Sequence, residues 1–389
     1  MQLNNFSVSI ILIMSLEIRE VKTLCDKLKF IQFVNDLYKD DAYYCPPLLI
    51  DELNTFNKRK NPVHELSEHI IYMAYRDGHP VGRIVGIINH EANRHWNVKK
   101  VRFGWFDFID DLEVSTALLD KVVEWGKSKG MDKLNGPVGF TDYDHQGLLI
   151  YGFDQAVPMA SLYNYSYYVK HYEHYGLIKE ADWIEYKITT PIEVPERMQR
   201  LVPFVKQHYN VRVDKVHSVK ELRRKYGYQY MDVFNEAYTN LYNFQPMTQK
   251  QREYIANLYF PLLNFDFVTI IVNNKDEIIG AGVGMPDITD ALRKCKGRLF
   301  PSGWYYLIKA LKAKKMEAFD LLLIALKPEY QDKGINVLFF DDQVKYFARY
   351  GIKRIETSAI LETNHKSAAN FVLFPHELHK RRRAYVKDI

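Results

Sequence analysis

The feature that most limits how this chain can fold is that it repeats itself. Val21-Lys-Thr-Leu24 matches Val219-Lys-Glu-Leu222 at an offset of 198. Phe33-Val-Asn-Asp-Leu-Tyr38 resembles Val233-Phe-Asn-Glu-Ala-Tyr238 at an offset of 200, and Pro46 and Pro246 keep that spacing. Gly82 in Pro80-Val-Gly-Arg-Ile-Val-Gly-Ile-Ile88 stands 198 before Gly280 in Ile278-Ile-Gly-Ala-Gly-Val-Gly-Met285. Four matches in one order point to a tandem duplication, so the chain should be built from two copies of one α/β unit.

Each copy reads as a helix, a Pro-bearing loop, a strand hairpin, an apolar strand, a helix ending in Gly, and another strand. The late strand and helix are Val101–Phe108 and Glu113–Lys129 in the first copy, with Gly130 as C-cap. They are Phe319–Leu326 and Ile335–Tyr350 in the second, closed by Gly351. Pro191 and Pro195 interrupt the pattern and mark a boundary, giving domains over 15–190 and 191–389. The expected fold class is α/β with a mixed α+β sheet. Val8–Met14 is apolar but too short to span a bilayer, and Met14-Ser-Leu-Glu reads as a natural start, so residues 1–14 read as an extension.

Composition narrows the function less. A net charge of +5 over 389 residues is mild and does not by itself argue for nucleic acid, which is not expected as a partner. The one dense basic run, His379-Lys-Arg-Arg-Arg383, reads as a solvated tail or strand end, or as a phosphate contact. Three cysteines without a Cys-x-x-Cys pair disfavour disulfides and zinc and fit a reducing cytoplasm. His64 and His69, or His171 and His174, lack the further ligands a metal site needs. No membrane partner is expected, and nothing indicates the oligomeric state.

The chemistry concentrates in Leu326-Lys-Pro-Glu-Tyr-Gln-Asp-Lys-Gly-Ile-Asn336. Leu321–Leu326 is a continuous apolar run, as in a buried strand, and Pro328 ends it. A helix with Val337, Leu338, Phe340, Val344 and Phe347 on its apolar face follows. Such a strand–turn–helix unit aims the free N–H groups of the first helical turn at whatever occupies the turn, and the helix dipole favours an anion there. Gly334 permits close backbone approach, and Lys333 adds a cation.

This segment resembles the acyl-CoA signature of the GNAT superfamily of N-acyltransferases, with Gln331, Gly334 and Asn336 at its key places and Asn standing where Gly or Ala is usual. Asn364 matches the Asn that opens the superfamily's last helix, and the strand pair Phe267–Asn273 and Glu277–Met285 precedes the motif as it does there. The resemblance covers residues 219–389, with an extra segment at Thr289–Ala313.

The resemblance implies two acyl-CoA N-acyltransferase-like domains in tandem, with acetyl-CoA or another acyl-CoA as co-substrate and no metal. It implies direct transfer to a primary amine, on a small molecule or peptide, without a covalent enzyme intermediate. Ile324, Ala325 and Leu326 would pair with the pantetheine arm, and Gln331, Asp332, Lys333, Gly334, Ile335, Asn336 and Asn364 would form the rest of the cofactor site. Glu356, on the next strand, is the candidate base, with Asp320 behind it. Where relatives carry a Tyr to protonate the thiolate, this chain has Phe371, and Tyr305 or Tyr306 could substitute.

At the matching turn the first copy reads Phe108-Ile-Asp-Asp-Leu-Glu-Val114, with three acids and no glycine. Acids cap a helix and repel a pyrophosphate, so this copy should bind no CoA. Its loop from Asn135 to Tyr168, with Tyr163, Asn164 and Tyr168, is expected either to wall an acceptor pocket or to tie the domains together. Two alternatives stand beside the enzyme: a catalytically silent CoA-binding or scaffold protein, and a transferase using aminoacyl-tRNA, supported by Lys380–Arg383.

Overall fold

The computed structural model describes residues 15–191, 193–371 and 374–389, so the expected extension over 1–14 lies outside the described residues. The first half runs β1 (Leu16–Glu20), α1 (Leu24–Leu37), α2 (Leu49–Thr55), β2 (Ser67–Arg76), β3 (His79–Asn89), α3 (His90–Trp96), β4 (Lys100–Phe108), α4 (Leu112–Ser128), β5 (Lys133–Gly136), β6 (Leu148–Tyr151), α5 (Tyr168–His174) and β7 (Ile178–Thr189). The second runs α6 (Glu196–His208), β8 (Arg212–Val213), α7 (Val219–Tyr226), α8 (Gln229–Tyr238), α9 (Gln249–Tyr259), β9 (Val268–Val272), β10 (Ile278–Pro286), α10 (Thr289–Cys295) and α11 (Gly303–Leu311). It ends with β11 (Ala318–Leu326), α12 (Val337–Tyr350), β12 (Arg354–Thr357), β13 (Ile360–Leu361), α13 (His365–Ala369) and β14 (His376–Asp388).

The repeat is visible in the ladders. The antiparallel β2–β3–β4 meander of the first half corresponds to β9–β10–β11 of the second, and each is followed by a parallel partner, β5 on β4 and β12 on β11. Helix α4 buries Val114, Leu118 and Val122 against the first meander, while α12 buries Leu338, Phe339 and Phe347 against the second. Four-residue spacing puts the α4 side chains on one face, the α12 side chains fall on one broad apolar face, and their burial drives the packing.

The chain passes between halves around Pro191, but the sheet does not divide there. One mixed sheet of fourteen strands runs β1-β2-β3-β4-β5-β14-β7-β12-β11-β10-β9-β8, with β6 on β14 and β13 on β7. The C-terminal strand β14 lies between β5 and β7 of the first half, and β7 reaches across to β12 of the second. Each half thus contributes a strand to the other's edge.

This placement corrects the reading of the basic run. It is neither a solvated tail nor a phosphate-binding surface. Lys380 and Arg382 are fully buried within β14, bonded to Glu356 and Glu185, and Arg381 and Arg383 clamp Asp182. Cations buried at this depth must be paired. The last helix is also shorter than expected, closing at Ala369 rather than near Phe374, and the expected strand over 353–360 breaks into β12 and β13.

Candidate active site

Strands β11 and β12 pair in parallel only from Ala318 to Leu321, and Ser358 N–H then donates to the Leu321 carbonyl at 2.9 Å. Beyond that point β12 ends, the chain turns to pair with β7 through β13, and β11 runs on to Leu326 with no strand on that side. Ile324, Ala325 and Leu326, the residues expected to meet a pantetheine arm, lie on this stretch. It pairs with β10 on one edge and meets no strand of the described residues on the other, where Tyr238 donates to the Ile324 carbonyl at 3.2 Å. On the α12 side of the opening, Leu321, Ile324, Phe339, Phe340, Val344 and Phe371 line an apolar cleft of about 20 Å³. That volume admits roughly one water, so a chain entering here must displace side chains.

The turn after β11 fits an anion. Pro328–Tyr330 forms one 3-10 turn, and Asp332 and Gly334 take left-handed conformations with φ of 60° and 70°. The first intrahelical bonds start from Val337, Leu338 and Phe339, which donate to Gly334, Ile335 and Asn336. The N–H groups of residues 332–336 make no hydrogen bond with described residues. Gly334 is open, with only a Val205 methyl, at 4.0 Å, near a would-be Cβ. Lys333 extends over the rings of Tyr209 and Tyr330, at 5.7 and 5.4 Å. A run of unsatisfied donors at a helix start, beside a cation, is the chemistry a pyrophosphate requires.

The other expected cofactor residues support the turn. Gln331 donates its side-chain amide to the Leu326 carbonyl at 3.0 Å, holding strand end and turn together. Asn336 bonds through its side chain to Asn370, so the larger residue at the usual Gly or Ala place is used to tie the turn to the last helix. Asn364 caps that helix by accepting from Ser367 N–H at 3.1 Å. Asp332 is exposed and paired with Lys366 at 2.5 Å.

On the opposite face of the sheet, where the strands part, stands a buried polar group. Asp320 and Glu356 are register partners on β11 and β12. Glu356 is held by Lys380 at 3.0 Å. Burial, then the neighbouring Asp287 and Glu356, push the Asp320 carboxyl well above the usual carboxylate range. His379 is the extra residue of a β-bulge in β14, between Leu378 opposite Tyr186 and Lys380 opposite Glu185. Bulges re-aim side chains. Here the bulge brings His379 Nε2 to 3.8 Å from Glu356 Oε2, too long for a hydrogen bond. His379 is 6 % exposed, and neither ring nitrogen has a hydrogen-bond partner among the described residues. Burial, then Lys380, lower its pKa to about 3, so the ring is neutral at physiological pH. Gly152 from the first-half loop crosses directly over the bulge, where a Cβ would stand 2.1 Å from the His379 carbonyl oxygen.

The first half also supplies Cys45, whose thiol is pushed up to about 12 by burial and by Asp287 and Asp320. An apolar cluster of Met285, Ile288, Leu292, Leu307, Tyr306 and Met159 reaches Leu322 on β11. His379, Lys380 and Cys45 were missed as site residues because their run and their loop carry no motif. The one signal was two glycines of φ-demanding type, Gly147 and Gly152, which flank β6.

Other expected residues lie elsewhere. Tyr163, Asn164 and Tyr168 are buried in the first half. Tyr163 donates to Asp41 at 2.7 Å, Asn164 brackets Leu149 N–H and carbonyl, and Tyr168 is bonded to Tyr38 and Phe108. These bonds use their polar atoms in the fold rather than at the opening. Tyr305 is 52 % exposed on the outer face of α11. Phe371 is buried against Phe340, and Tyr186 of β7 stands with its ring 6.3 Å from it. Among the described residues no cluster of His, Cys, Asp and Glu is arranged to hold a metal ion. A separate cavity of about 380 Å³ lies beside the β9–β10 hairpin, lined by Asp232, Glu236, Glu277 and Glu329 around Lys327. Its lining includes Glu329 and Tyr330 of the turn, and its acidic side chains disfavour phosphates.

No family model matches the chain. It is 29% identical over 377 residues to Protein YghO of Escherichia coli K12, covering 94% of this chain and 93% of that one. It is 24% identical over 361 residues to the bacterial ceramide synthase of Caulobacter vibrioides, covering 90% and 91%. Among solved structures it superposes on a tandem GNAT protein from the clavulanic acid biosynthesis pathway with a TM-score of 0.57, at 10% identity, over 96% of this chain and 98% of that one. The chain has the tandem GNAT fold.

Proposed function

We propose that the chain is an acyl-CoA-dependent N-acyltransferase with one working cofactor slot, in its second half, and that its acceptor is the primary amine of a long-chain lipid. The observation that carries the transferase reading is the coincidence, on one strand, of an unpaired edge at Ile324–Leu326 and a following turn of unengaged N–H groups at 332–336. The acceptor class draws on the relative named a ceramide synthase, since a ceramide is an N-acylated long-chain amino alcohol. The apolar cluster that reaches Leu322 suits such an acceptor.

Bound acyl-CoA supplies an activated thioester carbonyl. Residues 332–336 and Lys333 would hold its pyrophosphate, and the free edge of β11 would hold its arm and offer an N–H to the developing oxyanion. Glu356, ion-paired with Lys380, would attract the acceptor's ammonium and take one of its protons so that the neutral amine attacks. The second proton leaves the nitrogen as the C–S bond breaks and goes to the departing thiolate. His379, neutral and with both ring nitrogens unbonded, accepts a hydrogen bond from the acceptor amine and fixes its position. Tyr186, contributed by the first half, has its ring 6.3 Å from Phe371 and is the phenol we assign to protonating the thiolate.

The test is a transfer assay with acetyl-, octanoyl- and palmitoyl-CoA against amines that include long-chain amino alcohols, following thiol release and the amide by mass spectrometry. Amide formation with a long-chain acceptor is expected. Acceptor-independent thiol release, or amides of short polar amines alone, would contradict the acceptor assignment. Phe371 favours a second reading, a silent CoA-binding protein, and CoA binding with no amide from any acceptor would select it.

A further inference from the structure

The inserted segment between β10 and β11 is not needed to build either the slot or the turn, and its surface is unlike the rest of the molecule. Helix α11 turns Leu307, Tyr306, Ala310 and Leu311 inward onto the cluster that reaches Leu322. Its outer face is also apolar. Trp304, Tyr305 and Ile308 are 49 %, 52 % and 46 % exposed, and Phe300 in the preceding loop is 80 % exposed. A helix apolar on both sides, with one side packed, leaves the second side to something outside the chain.

The charge around it is one-sided. Between Asp290 and Glu317 the sequence carries eight cations and no acid. Seven of these, Lys294, Lys296, Arg298, Lys309, Lys312, Lys314 and Lys315, are exposed. None of the seven is in an ion pair among the described residues, and Arg298 and Lys315 donate instead to neutral oxygens of Gln32 and Arg349. The Arg298 contact joins the patch to α1, where Leu24 and Leu28 lie two turns and one turn from Gln32 on the same face, 66 % and 40 % exposed. The segment is anchored rather than loose: Arg293 donates to the Tyr44 carbonyl at 2.8 Å, and Leu49 N–H to the Gly297 carbonyl at 2.9 Å.

From this we infer that the Phe300–Lys315 face docks on an anionic lipid bilayer surface. Tryptophan and tyrosine favour the headgroup boundary, Phe300 and Ile308 reach below it, and the surrounding lysines meet the negative surface potential. A protein partner would need complementary acids in a matching shape, whereas a bilayer needs only apolar depth ringed by cations, which is what this face offers. The inference stands on this surface and does not depend on the acceptor being a lipid. If it is, α11 separates the bilayer from Leu322 by a single helix, and the acceptor would enter along it.

The experiment is co-sedimentation of the full chain with vesicles of phosphatidylcholine and of phosphatidylcholine containing phosphatidylglycerol. Binding is expected to the anionic vesicles, weakened by salt. It should fall roughly tenfold or more in Lys309→Glu/Lys312→Glu/Lys314→Glu, with recovery in the corresponding arginine variant. Phe300→Ser/Trp304→Ser/Ile308→Ser should also lose binding while keeping the unfolding midpoint of the parent. Failure to sediment with anionic vesicles at low salt would overturn the inference, as would binding unchanged by both triple variants. Vesicle-independent self-association abolished by the same variants would assign the face to a second copy instead.

Discussion

The two copies of the repeat differ most where they are most alike, at the end of the strand that leads into the helix. In the second half, Ile324–Leu326 of β11 pair with β10 on one edge and face no strand of the described residues on the other, where Tyr238 and Gln331 donate to the Ile324 and Leu326 carbonyls. The five N–H groups of residues 332–336 make no hydrogen bond with described residues. In the first half the same places are filled from within. Tyr167 donates to the Phe108 carbonyl, and Tyr168 accepts from Phe108 N–H at 3.1 Å. The turn is closed by Asp111, which accepts from Glu113 N–H at 2.9 Å and Val114 N–H at 3.4 Å, while Arg76 binds Asp111 and Glu113. The corresponding register pair is Arg102 with Asn135 in one half and Asp320 with Glu356 in the other. A duplicated slot has two stable outcomes: a ligand satisfies the exposed backbone, or side chains do. Here the first copy's strand end and turn are both filled by side chains, whereas in the second copy side chains reach the strand-end carbonyls and the turn N–H groups make no hydrogen bond with described residues.

The sharpest way to break this comparison is at the acidic pair. Glu356→Gln should lower kcat about 10²- to 10⁴-fold with little change in acyl-CoA affinity, while Asn135→Asp should give no second active centre. An unaltered kcat would remove Glu356 from the chemistry. Tyr186→Phe should lower kcat about tenfold, a smaller effect because a CoA thiolate leaves without much help. Single-turnover amide formation reads this directly, and an unchanged rate would mean that β7 lends the second half a strand but no catalytic group.

His379 sharpens the comparison through pH. Its folded pKa of about 3 lies below the unfolded value of 6.5, so the native state binds fewer protons over that interval. The stability it contributes is present above about pH 6.5 and is lost as pH falls toward 3, at up to about 1.4 kcal/mol per unit. Urea unfolding should show His379→Gln losing about 2 kcal/mol less than the parent between neutral pH and about pH 5. Equal losses would mean that His379 is protonated or partnered in the native state.

The smallest effects test the filled slot. Tyr168→Phe strips Phe108 N–H of its acceptor inside the core and should cost about 1–2 kcal/mol. Asp111→Ala removes a helix cap and should cost about 1 kcal/mol. Neither should alter acyl-CoA binding. A new binding event in either variant would show that the first copy is blocked rather than lost.

Much of this contrast could be read from the chain itself. The turn in the second half is local: an apolar strand, a proline stop, a glycine and a periodic helix sit within some thirty residues, and each signal is physical. The acids at 110, 111 and 113 announce a capped turn in the same way. What could not be read is non-local. His379–Arg383 has no hydrophobic alternation, and the acids that allow it to be buried, Asp182 and Glu185, lie about 200 residues earlier. Tyr163 and Tyr168 follow a stretch rich in Gly, Pro and Asp, but the partners that commit their hydroxyls to the fold, Asp41, Tyr38 and Phe108, come together only in three dimensions. The exchange of β7 and β14 between halves leaves no local mark at all.

The most direct measurement is calorimetric titration of the full chain with acetyl-CoA. One site per chain is predicted, retained in Asp111→Ala and abolished in Gly334→Trp, where a bulky side chain would occupy the open cradle at φ 70°. Two sites per chain, or one that survives Gly334→Trp, would contradict the claim that only the second copy kept its slot.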